Sequence, residues 1–299
     1  CDPKKINFIR IFSALRLLGS LLWFILWAKV SERRNSEMLA AQDVSVAYGK
    51  TTVLKAVSVA FRPGRMTALV GPNGCGKSTL LKAVMGFVPL TGGGITLEGT
   101  PTHKIPRRSF ARRMAYLPQE SYCPDYLTLG ELIELAGYAR YSLLSGPSDR
   151  DRQLFRAALE IVGLTDLVHR QVNSLSGGQR QRAWIAMVLA QDSDIVLMDE
   201  PVNHIDVKFQ YSVLEIVRNL TIRHGKTVIA VLHDLNLTTA FADEVVMLRD
   251  GEVVASGAVS ETINSASVER VFDLEADIFT RNGRLVCLPH MSHASPVSV

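Results

Sequence analysis

The chain has 299 residues, of which 47% are apolar and 21% charged, the make-up of a globular protein long enough to bury a real core. Its net charge of +4 lies entirely in residues 1–37, where seven Lys and Arg meet three acids, so residues 38–299 balance 26 bases against 26 acids. A neutral body gives no support to nucleic-acid binding, and the four cysteines (Cys1, Cys75, Cys123, Cys287) have no metal-site or disulfide spacing, which points to a reducing compartment, the cytosol.

The first element is an apolar run, "LLGSLLWFILWA", residues 17–28, flanked by Arg16 and Lys29. It is shorter than the roughly 20 residues a membrane span needs. It has the length of a signal-peptide core, or of an interfacial helix anchored by Trp23 and Trp27. Three readings stand for residues 1–37: an extension of other origin, a membrane-associating helix, or a lipidated or cleaved N terminus.

From Leu39 the pattern is regular. "LAAQDVSVAY" and "TTVLKAVSVAF" alternate as paired strands around a Gly49-Lys50 turn. "MTALV" is a short apolar strand, followed by a glycine-rich loop and the helical "KSTLLKAVMGF"; "GGGITLEG" adds a strand. Residues 128–172 change character, with helical spacing in "LGELIELAGYARY" and "DRQLFRAALEIVGL" and no strand. A helix over 177–191, the strand "DIVLMD", a helix over 207–223, the strand "TVIAVLH", a helix over 235–241 and the strands "EVVMLRD" and "EVVASG" follow. The sum is an α/β chain with parallel strands, an N-terminal antiparallel β unit and a helical insertion. The tail after Pro289 is expected to be loose.

"GPNGCGKST" fits the G-x-x-x-x-G-K-[ST] phosphate loop between a strand and a helix. Gly71, Pro72, Asn73, Gly74, Cys75, Gly76, Lys77, Ser78 and Thr79 are therefore the candidate ATP-binding set. The glycines let backbone N–H groups reach phosphate oxygens, Lys77 serves the outer phosphates, and Ser78 offers a hydroxyl to Mg²⁺. This loop alone does not separate kinases, GTPases and ATPases. Cys75 is either a packing residue or a thiol whose modification would block ATP.

In "DIVLMDEP", Asp199 and Glu200 emerge from the carboxyl end of a buried strand, where ligands sit in open α/β sheets. Two adjacent acids repel unless a cation or polarised water shares the site. Asp199 is the expected Mg²⁺ partner and Glu200 the base that orients and deprotonates water. "TVIAVLHD" brings His233 to the same edge, as a γ-phosphate contact.

"NSLSGGQRQR" holds a second anion-type motif, a serine and two glycines opening a helix. The phosphate loop grips one side of a triphosphate only. Ser176, Gly177, Gly178 and Gln179 are therefore assigned to the ATP site of a second copy, in a two-fold dimer that closes on ATP and opens after hydrolysis.

With these motifs in this order, residues 39 to about 285 resemble the ATP-binding subunit of ATP-binding cassette (ABC) transporters. The resemblance implies a P-loop NTPase (RecA-like) core with a helical subdomain at about 122–175, inside a cassette spanning 38–289. It implies that Tyr48 stacks on adenine, that Gln119 in "YLPQ" senses Mg²⁺ and the γ-phosphate, and that Asp206 in "NHID" communicates across the dimer. Lys77, Gln119, Glu200 and His233 form the implied catalytic set, and Ser78, Gln119 and Asp199 the implied metal set. It also implies permease partners, an extracytoplasmic binding protein acting indirectly, and a peripheral place on the cytoplasmic face of the cell membrane. "RAWIAMVLAQ" and "DEPVNHID" look like iron–siderophore importers. Haem, vitamin B12, metal-ion and export systems, or a soluble ABC-type ATPase in DNA repair or translation, remain alternatives. Residues 1–37 depart from the family pattern.

Overall fold

The computed structural model describes residues 38–141, 146–203 and 205–290; the readings for residues 1–37 and for the tail beyond 290 lie outside the described residues. Strand β1 (Leu39–Tyr48) pairs antiparallel with β2 (Thr51–Phe61), from Leu39 opposite Phe61 to Tyr48 opposite Thr51. Gly49, at φ 62°, supplies the left-handed backbone of the two-residue turn. β4 (Gly92–Leu97) pairs with the other edge of β1, and β5 (Thr100–Pro101) pairs with β4, giving the order β2-β1-β4-β5.

The second sheet is the frame of the molecule. β3 (Met66–Val70), β6 (Met114–Leu117), β7 (Ile195–Met198), β8 (Thr227–Val231) and β9 (Glu244–Arg249) run parallel, and β10 (Glu252–Ala258) closes one edge antiparallel. The order is β10-β9-β3-β8-β7-β6. Parallel strands covered on both faces read as continuous apolar runs, as "IVLM" and "TVIAV" do; every residue of β3, β7 and β8 is buried.

Successive residues of those strands feed opposite cores, as the two-residue side-chain period requires. Leu69, Ile195, Leu197, Ile229 and Val231 face the antiparallel sheet and share a core with Leu80 and Leu81 of helix α1 (Lys77–Val84). Met66, Ala68, Val70, Val196, Met198 and Val228 face the other side. That side is covered by α5 (Gly177–Ala190), α6 (Val207–His224) and α7 (Leu235–Phe241).

Short α2 (Arg107–Arg113) leads into β6, and between β6 and β7 the described residues form helices and loops with no strand. Its helices α3 (Leu129–Leu135) and α4 (Asp149–Val162) both open with a capping box, Thr128 with Glu131 and Ser148 with Asp151, and α5 packs on both. Asp151 also accepts from Arg140 Nε at 2.6 Å, while Arg140 Nη2 donates to Ala190 O at 2.8 Å. One guanidinium thus ties the start of α4 to the end of α5.

The structure departs from the sequence expectation in places with physical causes. α1 stops at Val84 rather than running to Phe87, because Gly86 turns the chain at φ 71°. The expected helix 129–141 ends at Leu135; a Cβ on Gly137 would lie 2.2 Å from the Tyr141 ring, so the chain folds closely back there. Four-residue β6 is too short to show a period. α8 (Val259–Thr262), α9 (Ser265–Phe272) and the hairpin of β11 (Ala276–Arg281) and β12 (Arg284–Pro289) were not expected. The hairpin turns at Asn282-Gly283, both at positive φ, an Asn-Gly signal that the sequence carries openly.

Asp243 locks three elements together. Its carboxylate accepts from Arg218 of α6 at 2.5 and 2.7 Å and from the Met66 N–H of β3 at 2.8 Å, immediately before β9 begins. Burial pushes its pKa up, but the Arg218 and Met66 hydrogen bonds and the charges of Arg218 and Arg65 outweigh this and hold it below the ordinary value. A depressed carboxylate pKa means stability present at neutral pH and lost as pH falls through the folded value. Arg218→Ala is therefore expected to cost about 3 kcal/mol in urea unfolding near neutral pH, with a shrinking penalty as the buffer is made acidic.

Candidate active site

Parallel register brings the chemistry to one sheet edge. Leu117 pairs with Met198, Met198 with Ala230, and Leu69 with Val231. The residues just beyond these strands, Gly71, Gln119, Asp199, Glu200 and His233, therefore leave the carboxyl ends together. Lys77, Ser78, Thr79, Asn73, Gly74, Gly76, Gln119, Glu200 and His233 line one open cleft of about 490 Å³.

The loop from Gly71 to Thr79 needs its glycines. A Cβ on Gly71 would sit 2.1 Å from Leu248 O, and one on Gly76 2.6 Å from Leu54 Cδ2. Both have positive φ, 151° and 106°. Lys77 is buried and donates to Gly71 O and Pro72 O, each at 2.8 Å. Its third donor meets only the weak acceptor Cys75 Sγ, at 3.8 Å, a contact that an anion in the cleft would outcompete. Cys75 is 4% exposed behind the loop, with Sγ 3.8 Å from Lys77 Nζ. Burial pushes its thiol pKa up despite that lysine. A protonated, buried thiol is a poor nucleophile, which favours the packing reading.

Across the cleft, the two acids are placed differently. Asp199 is 1% exposed and accepts from Ser78 Oγ at 2.8 Å and Tyr116 OH at 3.4 Å. Burial raises its pKa, the neighbouring Glu200 charge adds to this, and the Ser78 hydrogen bond opposes it. The same burial, with the Asp199 charge, pushes Tyr116 up as well, keeping it a donor. Glu200 accepts from Gln119 Nε2 at 2.7 Å and from Asn203 Nδ2, and its other oxygen lies 2.6 Å from His233 Nε2.

Asn203, Val53 and Tyr116 are site residues that sequence reasoning missed. Asn203 had a usable signal, an amide three residues after an acid in a turn; Val53 and Tyr116 are placed only by tertiary packing. Gly71 and the buried Asp199 stand back from the cleft lining, and four other groups assigned from the sequence are also outside it. Tyr48 stands at the tip of the β1–β2 hairpin, half exposed. Asp206 is exposed at the start of α6. Cys75 is buried and Pro72 half-buried, and neither lines the cleft. Ser176, Gly177, Gly178 and Gln179 open α5 elsewhere on the molecule, with Ser176 and Gly177 exposed. There Ser176 Oγ accepts from Gln179 N at 3.4 Å and Gln179 Oε1 from Ser176 N at 3.0 Å. Gln179 thus caps the helix and holds Ser176 at its tip.

Among the described residues no group of three His, Cys, Asp or Glu is placed to hold a metal unaided. The Ser78 hydroxyl and Asp199 carboxylate are nonetheless hard oxygen donors in contact with each other at the phosphate end of the cleft. Mg²⁺ takes such a set, completed by phosphate oxygens and water.

Comparison with known proteins agrees with this arrangement. The ABC transporter family profile matches residues 49–203. The petrobactin import ATP-binding protein of Bacillus anthracis is 37% identical over 254 residues, covering 84% of this chain and 93% of that protein. The ferric enterobactin transport ATP-binding protein of Escherichia coli (strain K12) is 38% identical over 240 residues, covering 80% and 89%. A dimeric bacterial ABC transporter cassette superposes with a TM-score of 0.67 at 27% identity, covering 74% of this chain and 99% of that one. An inward-facing metal-chelate type ABC transporter shares the fold, with a TM-score of 0.74 at 24% identity over 85% of this chain and 97% of that one. A nucleotide-binding cleft at the carboxyl edge of a parallel sheet, relatives matched over nearly their full length, and a family profile across half the sequence place this chain in the ABC transporter family, as an ATP-binding, ATP-hydrolysing subunit.

Proposed function

We propose that this subunit is the ATP-driven motor of an importer for iron–siderophore complexes, working as a homodimer beneath an integral-membrane permease. An extracytoplasmic binding protein would deliver the substrate to the permease. The cassette, residues 38–289 with a helical insertion at about 122–175, would sit peripherally on the cytoplasmic face of the membrane. Among the described residues no helix is long and apolar enough to cross it. The import reading is supported by relatives named for petrobactin and ferric enterobactin transport; no residue in the cleft reads the cargo.

One observation carries the motor reading: Glu200 is gathered by Gln119, Asn203 and His233 directly across the cleft from Lys77 and Ser78. A carboxylate offers about four acceptor positions. Gln119 and Asn203 fill two and His233 Nε2 stands against the other oxygen, which leaves room there for the O–H of a water. Glu200 orients that water toward the γ-phosphorus and takes its proton, while Lys77 and the loop N–H groups hold the departing charge. His233 Nε2 stands 2.6 Å from the other Glu200 oxygen, so the ring flanks the carboxylate at the edge where the γ-phosphate would lie. Ser78 and Asp199, with Gln119 nearby, would hold Mg²⁺, which would supply charge neutralisation to the triphosphate. Tyr48, exposed at the tip of the β1–β2 hairpin, would stack on the adenine.

The 176–179 segment completes the scheme from the partner copy. It offers N–H groups and a hydroxyl on an exposed helix start, away from its own cleft. Two or three charge-assisted bonds at about 1.5–3 kcal/mol each give about 3–9 kcal/mol per site. Loss of the γ-phosphate removes that differential, which is large enough to open a dimer. Asp206, exposed before α6, lies in the loop after Glu200 and is suited to report between the two sites.

Glu200→Gln is expected to bind ATP normally, slow hydrolysis at least about 100-fold and accumulate an ATP-bound dimer by size-exclusion chromatography. Ser176→Arg is expected to bind ATP but form no dimer in the Glu200→Gln background; undiminished dimer would remove the trans site. Asp199 gives a sign test. Its folded pKa is raised, so above that value the ionised carboxylate opposes folding. Ligand-free Asp199→Asn should therefore melt above the wild type near neutral pH, with the gap closing as pH falls through the folded pKa. The same variant should lose most of the added Tm that Mg²⁺ and ATP give the wild type.

A further inference from the structure

We propose that Gln181 is a positioning residue for Glu200, linking the exposed 176–179 segment to the hydrolytic centre of the same chain. The proposal rests on Glu200 as the base. The observation behind it is backbone strain. Glu200 has φ 55°, the left-handed region that a non-glycine residue rarely occupies. Such a conformation is strained and persists only where neighbours over-determine it. The carboxylate is thus aimed from a backbone that would relax if released.

Three fastenings hold the following turn, one of them from Gln210 Nε2 of α6 to Val202 O at 3.2 Å. Asn203 N donates to Glu200 O at 3.3 Å. Gln181 Nε2 donates to Pro201 O at 2.7 Å, reaching across from α5. Proline fixes its own φ, so few soft dihedrals separate the carbonyl held by Gln181 from the Glu200 Cα. Movement of Pro201 O is therefore passed to the carboxylate rather than absorbed.

The other end of the link is the start of α5. Gln181 lies two residues after Gln179, whose capping box forms the helix tip. At a rise of about 1.5 Å per residue, tip and Gln181 belong to the same rigid turn and a half. The tip is also wedged against α6: a Cβ on Gly178 would touch the Phe209 ring at 3.7 Å, and the Arg182 guanidinium lies over that ring at 5.8 Å. When the tip engages a triphosphate held by the partner copy, any shift of α5 is delivered through Gln181 to Pro201. Each chain's own base is then set by whether its own tip is engaged, which makes the two ATP sites of a dimer depend on each other.

The test is Gln181→Met, which keeps length and packing and removes the donor. The expected result is a kcat about ten- to a hundred-fold lower, the loss that follows a misplacement of about 1 Å. ATP binding is expected within about two-fold of the wild type, Tm within about 3 °C, and ATP is expected to trap a dimer as in Glu200→Gln. Gln181→Lys, which returns a donor of similar reach, should turn over close to the wild type. A wild-type kcat for Gln181→Met overturns the proposal. So does a fall in kcat matched by weakened ATP binding and a lower Tm, which marks a packing role. If Gln181→Met does not fold, a Gln181→Lys kcat as low as that of Glu200→Gln overturns it. Full turnover by Glu200→Gln would remove the base itself and the positioning role with it; an inactive Glu200→Gln beside a fully active Gln181→Met leaves the base standing and removes only the link.

Discussion

Two adjacent carboxylates at the end of one buried strand are the constraint around which this molecule is arranged. Asp199 and Glu200 follow Met198 with no residue between them and the hydrophobic sheet. Side by side and poorly solvated, they cannot both be left as bare anions. The fold gives them unlike surroundings. Asp199 turns inward to two hydroxyl donors, Ser78 and Tyr116, and its pKa is pushed up. Glu200 turns outward into the cleft and is surrounded by nitrogen donors. Environment, not residue type, sets the two carboxylates apart, and it is this difference that suits them to the separate parts proposed for them.

The same constraint explains why so many separate elements converge. Ser78 comes from the helix after β3, Tyr116 from β6, Gln119 from the loop beyond β6, and His233 from the end of β8. No local segment could deliver these donors; only parallel strands in register do so, with their loops at one edge. The antiparallel sheet and α1 fix one face of that frame and the long helices fix the other. Burial of the frame is what keeps the acids desolvated enough to need their partners.

Much of this was readable from residues alone, because the relevant signals are local. "GPNGCGKST" fixes a loop by glycine geometry, "DIVLMDEP" a buried strand ending in acids, and "LSGGQ" a capped helix start. The α/β alternation and the helical stretch were visible for the same reason. Other features were not legible because they are set by packing. Tyr116 joins Asp199 only through the pairing of β6 with β7. The early end of α3 follows from the close return of Tyr141 onto Gly137. Asn203 and the Asn282-Gly283 hairpin carried local signals that weigh little beside stronger motifs nearby.

In the dimer proposed above, the division of the phosphate donors between two surfaces has a mechanical consequence. A chain that held all its phosphate donors in one cleft would bind and hydrolyse ATP without moving anything outside it. Here the loop donors stand on the sheet edge, whereas the 176–179 donors stand on a helix whose far end is bolted to the helical region through Arg140 and the Ala190 carbonyl. Binding at the helix tip therefore loads a lever that reaches α4, and the sole direct tie from that lever's first turns to the catalytic loop among the described hydrogen bonds is Gln181 to Pro201. Chemistry and motion meet at that amide. Hydrolysis that ran ahead of tip engagement would spend ATP without displacing the helical region. A strained Glu200, held in aim by a side chain from the moving element, is a physical means of preventing it.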